Sequence, residues 1–406
     1  MSVAEPDAIL SRMATPSSPV YALTALFLVC VATRFQVSLI PPLLPRIEAE
    51  FATSHTWGGL LNSLSFAMMG FGALAAPAVL RALGSTRAIA VMSGAIALSG
   101  AARAIAPDAF SVTAIGIPIG LAIGLATALM PVVAKERFPE RAGLSTGVYV
   151  TGISIGSTVA FALAVPLADA LGGWRMPLLT LAGVAVVLSV PWSALPRLPR
   201  PTAGPMVGLP RLPPSGLAWL AIVIFSLQSI LFFGLNTWLP SAFVEHGWPE
   251  ATAGLLGSGL IASSLLGSVA VSLLPDSLGW TDRYLIVAAL AAVVGSFGLV
   301  LFPAAAWTWT ALAGASTGAL LVLSLRLPLE LGNVHEVAGL GGLMLAVGYW
   351  TGGIAPVVLG GLRDASGAFG ASFIVLGILS IGLVAASVWF AAHHESVAHS
   401  RGATRG

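Results

Sequence analysis

Hydrophobic residues fill long stretches along almost the whole chain, and short polar, Gly-bearing or Pro-bearing breaks separate them. Crossing a hydrocarbon core of about 30 Å takes about 20 residues of helix, longer than a strand or an ordinary buried run. Twelve stretches reach that length: 20–43, 57–80, 87–105, 110–134, 143–167, 174–195, 216–239, 251–274, 284–302, 306–328, 337–361 and 370–392. The pattern predicts an all-α membrane protein with twelve transmembrane helices.

Composition agrees, with 57% hydrophobic and only 8% charged residues, where a soluble domain carries about 25% charged. Between the sixth and seventh stretches lies "LPRLPRPTAGPMVGLPRLPPSG", residues 195–216, too rich in Pro for a helix interior. It divides the spans six and six. The expected organisation is an N-terminal cytoplasmic tail (1–19), a six-helix bundle (20–195), a cytoplasmic Pro-rich linker (196–215), a second six-helix bundle (216–392) and a cytoplasmic tail (393–406). The first 19 residues lack the basic start and short apolar core of a secretory signal.

Charge sets the orientation. With the N-terminus inside, cytoplasmic segments hold Arg12, Arg81, Arg87, Lys135, Arg137, Arg141, Arg197, Arg200, Arg211, Arg283, Arg401 and Arg405, against Arg46, Arg103, Arg175 and Arg363 outside. That bias predicts both termini in the cytoplasm of a cell whose inner membrane the chain spans. The pI of about 9.0 therefore belongs to topology, and no nucleic-acid partner is expected. The partners expected are a small-molecule solute and membrane lipid, with a monomer as the working unit. Cys30, the single cysteine, lies within the first span and leaves no intramolecular disulfide.

The two halves resemble each other. Leu44-Pro45 recurs as Leu239-Pro240, an offset of 195, which also carries "GLLNS" (59–63) onto "GLLGS" (254–258). At an offset of 196, "ERAGL" (140–144) meets "EVAGL" (336–340). Duplicated membrane bundles hold a site near midplane between them and rock about it. The reading is a transporter.

Within "VATRFQVSLIPPLLP", residues 31–45, Arg34 interrupts an apolar span, and its counterpart in the second half is Ser229. A helix starting near residue 20 carries it about 21 Å inward. Charge at that depth costs about 2.5 kcal/mol or more and turns toward the protein interior. No Asp or Glu sits in the middle of a span, and Glu48, Glu50, Asp169 and Glu330 fall at helix ends or in loops. An unpaired guanidinium suits a carboxylate or another flat oxyanion. The alternatives are a bond to carbonyls freed by Pro41 and Pro42, or a gate.

Ser38 shares the Arg34 face at i+4, while Gln36 turns away toward another helix. Asn62, Phe66 and Met69 form a stripe on the second span; Gln228, Phe232 and Asn236 form one on the seventh. Amides of this kind serve a ligand or interhelical bonding. Tyr149 with Gly152 and Gly156, and Tyr349 with Gly353, combine a candidate contact with close-packing spacing. The expected substrate-binding set is Arg34, Ser38, Asn62, Tyr149, Gln228, Phe232, Asn236 and Tyr349. Arg81, Arg87 and Arg326 are assigned to gating, although Arg326 also lies near enough to a span end to snorkel. No Walker loop, catalytic Ser/His/Asp set or metal-ligand spacing occurs, so neither an enzyme, an ATP-driven pump nor a cofactor is expected.

Five stretches resemble the cyanate permease and 2-nitroimidazole exporter branch of the major facilitator superfamily: "TRFQVSLIPPLLPRI" (33–47), "LMPVVAKERFPERAGLSTGVY" (129–149), "PLADALGGWR" (166–175), "WLPSAFVEHG" (238–247) and "VGYWTGGIAPVVLGGLRDASG" (347–367). The resemblance implies a two-bundle secondary transporter for small polar or anionic compounds, with Arg34 at that family's first-helix arginine. The loop "APAVLRALGSTR" (76–87) keeps Arg81, Gly84 and Arg87 but lacks the superfamily's usual Asp, and Leu345 replaces a polar residue of many relatives. With no carboxylate at mid-membrane, carboxylate-based proton symport is not expected. The alternatives to an anion transporter are a multidrug-type exporter of neutral or weakly basic compounds, with Arg34 structural, and a membrane sensor that binds solute without moving it.

Overall fold

The computed structural model describes residues 18–198, 216–274, 281–331 and 334–403. The expected tail at 1–19 and linker at 196–215, including Arg12, Arg200 and Arg211, lie almost wholly outside these residues. Among the described residues the regular elements are helices: α1 (Pro19–Phe51), α2 (His55–Leu83), α3 (Ser85–Ala104), α4 (Ala109–Arg137), α5 (Ala142–Leu171), α6 (Arg175–Ser193), α7 (Gly216–Glu245), α8 (Glu250–Ser272), α9 (Thr281–Leu301), α10 (Ala306–Leu331), α11 (Val334–Ser366) and α12 (Phe369–Ala403). Eleven are long and apolar enough to cross a membrane. The exception is α3, which carries Arg87 and Arg103.

Local chemistry sets the ends. Pro41, Pro42 and Pro45 supply no backbone N–H, and α1 turns at Leu39 between Pro19–Ser38 and Ile40–Phe51. The second segment extends past the predicted end at residue 43, so Glu48 lies in its last turn, at a helix end as expected, and is buried. At its end Ala52 takes a left-handed φ of 49°. Ser54 accepts the Trp57 N–H and starts α2. Ahead of α4, Asp108 accepts both the Ser111 N–H (2.8 Å) and its hydroxyl (2.9 Å), bonds that hold its carboxyl below the usual carboxylate range.

The packing repeats with the sequence duplication. Within the first six helices α1 packs on α5, α2 on α4 and α3 on α6; within the second six, α7 packs on α11, α8 on α10 and α9 on α12. Adding six to each number in the first set gives the second. The halves meet where α2 crosses α11 and α5 crosses α8, two crossings that the same operation exchanges.

Small residues permit these crossings. A Cβ on Gly59 would lie 2.3 Å from the Pro356 carbonyl oxygen, one on Gly360 2.3 Å from that of His55, and one on Gly257 2.7 Å from the Phe161 ring. Lipid chains are as apolar as the helices, so close van der Waals contact and polar bonds, rather than apolar burial, hold such surfaces together. The same device operates inside each half. Gly152 and Gly156 of α5 approach Phe27 and Val31 of α1, and Gly267 approaches Ala315.

Gly124 of α4 faces the Met69 carbonyl oxygen of α2, 2.0 Å from where a Cβ would sit, whereas Gly143 meets nothing within 4 Å. Gly124→Val should therefore destabilise the protein by about 1–3 kcal/mol. Gly143→Ala should leave the thermal unfolding midpoint in detergent close to that of the parent.

Candidate functional site

Helix α1 carries Arg34 into the interior between the halves. Its neighbours Thr33, Phe35, Gln36, Val37 and Ser38 are buried, but Arg34 keeps partial exposure. One guanidinium nitrogen, Nη2, donates to Thr127 Oγ1 of α4 at 3.0 Å. The Thr127 hydroxyl in turn donates to the Ile123 carbonyl at 2.8 Å, which aims its lone pairs at the arginine. Nε is buried without a hydrogen-bond partner, and no carboxylate forms an ion pair with Arg34 among the described residues. From α11 the Tyr349 phenol lies within electrostatic range of the guanidinium.

An aromatic wall adjoins this charge. Phe66 of α2 and Phe233 of α7 stack across the interface of the halves with centroids 4.2 Å apart. Tyr349 and Phe232 flank Phe233 at 6.1 and 5.6 Å. Val37, Met69 and Ile123 pack in the same cluster. Six helices, α1, α2, α3, α4, α7 and α11, thus contribute to this cluster, and Val37 ties it to α1 one turn from Arg34.

The predicted set divides in space. Arg34, Phe232 and Tyr349 gather with this cluster. Asn62 donates to Thr237 Oγ1 of α7 at 2.8 Å, joining the halves. Gln228 donates to the Thr317 carbonyl of α10 at 3.1 Å, which engages its amide N–H within the second half. Ser38 and Asn236 are buried on α1 and α7. Tyr149 packs with Val148 and Ile153 against a separate cluster that contains Cys30 and Met130. Gln36 donates to Leu178 of α6 at 3.1 Å, the turned-away orientation its spacing predicts. Arg81 and Arg87 are exposed beside the α2–α3 turn, and Arg326 is partly buried near the end of α10.

Sequence reasoning misses several contributors. Thr127 is a lone hydroxyl in an apolar run, which was its only signal, and Phe233 sits one residue from the aromatic assigned. Arg103, counted on the outer side, is fully buried, with Nε donating to the Val112 carbonyl at 3.1 Å. His55 is the first residue of α2.

Charged residues close the mouth ringed by turns 52–54, 172–174, 246–249 and 367–368. Arg46 of α1 bonds Asp169 of the first half and Glu250 of the second, each at 2.6 Å. Asp364 of α11 accepts the backbone N–H groups of His55 and Thr56 and the Thr56 hydroxyl, at 3.2, 2.8 and 2.7 Å. Glu50 takes Trp174 Nε1 at 2.6 Å and also Arg175. The aromatic stack thus lies between Arg34 and a shut mouth.

Comparison with known proteins fits this geometry. The sequence profile of the Major Facilitator Superfamily matches residues 26–356. The chain is 29% identical over 363 residues to the "2-nitroimidazole transporter" of Escherichia coli (strain K12), covering 86% of this chain and 91% of that one. It is 28% identical over 375 residues to the "Cyanate transport protein CynX" of the same organism, covering 91% and 97%. Among solved structures, the inward open conformation of the xylose transporter XylE from E. coli aligns with a TM-score of 0.73 at 14% identity, covering 91% of this chain and 94% of that one. A twelve-helix duplicated bundle with a charge held between its halves, matched by that profile over most of its length, is a membrane transporter, and the chain belongs to the major facilitator superfamily.

Proposed function

We propose that the transported solute is a small anion, or a flat polar molecule with a strong acceptor group, held by Arg34 against the Phe66–Phe233–Tyr349 wall. The observation that carries this reading is the guanidinium with one hydrogen bond, a partnerless Nε and partial exposure. A charge in a low-dielectric interior is costly unless something pairs with it. A bound anion supplies that pairing and takes the donors Thr127 leaves free. The rings offer a flat, polarisable surface to a planar solute. The names of two relatives, a cyanate transport protein and a 2-nitroimidazole transporter, describe small solutes with strong acceptor atoms.

Solute moves by alternating access, and the arrangement described has the mouth at turns 52–54 and 367–368 shut. We propose that this mouth faces away from the cytoplasm, with both termini inside, on the strength of the Lys/Arg bias. Asn62 and Gln228 then position helices through their amide N–H groups, which are bonded to Thr237 and Thr317.

Proteoliposome counterflow with labelled cyanate, small monocarboxylates and 2-nitroimidazole tests the reading. Arg34→Gln should weaken binding about 10- to 100-fold, the loss expected for a charged hydrogen bond worth about 1.5–3 kcal/mol, and Arg34→Lys should recover part of it. Unchanged transport by Arg34→Ala would discard the anion site and favour an exporter of neutral or weakly basic compounds. Binding without flux would favour a sensor. Phe233→Leu should reduce affinity for flat ring compounds about 5-fold while altering that for cyanate less, consistent with about 1 kcal/mol for an aromatic contact.

A further inference from the structure

His55 stands at the point where the two halves close, and both of its ring nitrogens face carboxylates. Nδ1 lies 2.7 Å from Glu48 Oε2 of α1, off the line of a straight hydrogen bond, and Nε2 lies 3.8 Å from Glu245 Oε1 of α7. A neutral imidazole has one N–H, so one nitrogen would direct its lone pair at an anion. One more proton removes the conflict. The ring with both nitrogens protonated donates toward both acids; alternatively, Glu48 takes the proton and the ring accepts from it.

The surroundings favour holding that proton. The second half encloses the imidazole, with Trp238 at 5.7 Å and Phe369 at 5.4 Å between centroids. Glu48 is 6% exposed, and its Oε1 has no partner. That oxygen occupies the space left by Gly58, 1.8 Å from where a Cβ would be. The charged groups facing the pair are Glu245 and Arg363, joined at 2.6 and 2.5 Å, and Asp364, which accepts from the backbone of His55. Three carboxylates therefore share one guanidinium. The other cations of this mouth are engaged elsewhere: Arg46 by Asp169 and Glu250, and Arg175 by Glu50.

We propose that Glu48 and His55 form a proton-binding site of the transport cycle, filled while this mouth is shut and emptied to the adjoining water as it opens. Opening separates α2 from α7 and α11, which withdraws the imidazole from Glu245, Trp238 and Phe369 and hydrates Glu48. The proton then loses the second carboxylate that held it. Because the closed state binds the extra proton, acid shifts the equilibrium toward closure and alkali toward opening, by at most tenfold per pH unit for one proton. Histidine is the side chain that ordinarily changes charge between about pH 5 and 8, which sets the window for the test. The site is distinct from Arg34 and requires no knowledge of the solute.

Solute-free, full-length protein in nanodiscs provides the test. Spin labels go on Ala170→Cys and Ala365→Cys, exposed positions on opposite halves of this mouth, in a Cys30→Ala background. Double electron–electron resonance then gives the distance distribution from pH 8 to pH 5. The short-distance population should grow as pH falls in the parent. His55→Gln should flatten that response, and Glu48→Gln, which keeps the size of the side chain and removes its charge, should make it shallower while still allowing closure. A parent with no pH response, or a His55→Gln protein with the parent's response, overturns the proposal. Because no solute is present, failure here leaves the anion reading of Arg34 standing, and failure of that reading leaves this one.

Discussion

Helices in a bilayer gain little from hiding apolar side chains, because the lipid they leave is as apolar as the partner they meet. What remains is contact at short range and the satisfaction of every polar group. This constraint shapes the whole molecule. Where α2 crosses α11, glycines bring backbones to distances that a single methyl group would prevent, and where α5 crosses α8, Gly257 makes room for the Phe161 ring. Where side-chain amides enter the interior, they donate across helices, as Asn62 does to Thr237 and Gln36 to Leu178. An interface of this kind is well suited to rocking. It is held by short-range contact and discrete polar bonds rather than by apolar burial.

Against that frame of duplicated helices, function lies in the departures from symmetry. Arg34 faces the interior from α1, while its counterpart Ser229 returns its hydroxyl to the Phe225 carbonyl of its own helix. The offset of 195 also places Glu250 opposite His55. At the mouth these two behave differently: Glu250 pairs with Arg46, and His55 enters an aromatic box on the other half. The repeat supplies the scaffold, and positions where the two copies differ supply a charge at the centre and an imidazole at the mouth.

Much was legible in the residues themselves. A run of about 20 apolar residues has one solution in hydrocarbon, so the twelve helices and their two groups of six follow from pattern and length. Arg34 was visible as a charge that cannot be left unpaired among apolar neighbours. The tertiary structure decided which other residues accompany it. Helical periodicity places Gln228 and Phe232 on one stripe, yet Gln228 turns to α10 and Phe232 joins Phe233 at the interface, because the two lie on the same helix at different depths between different neighbours. Thr127 carries no signal of its own until α4 packs beside α1. His55 and Glu48, seven residues apart across a turn, became a pair only when the second half closed over them with Glu245 and Phe369. Pattern in a chain reports what each segment must do with its own solvent, while partners more than a hundred residues away are chosen by the packing of helices that the pattern alone does not orient.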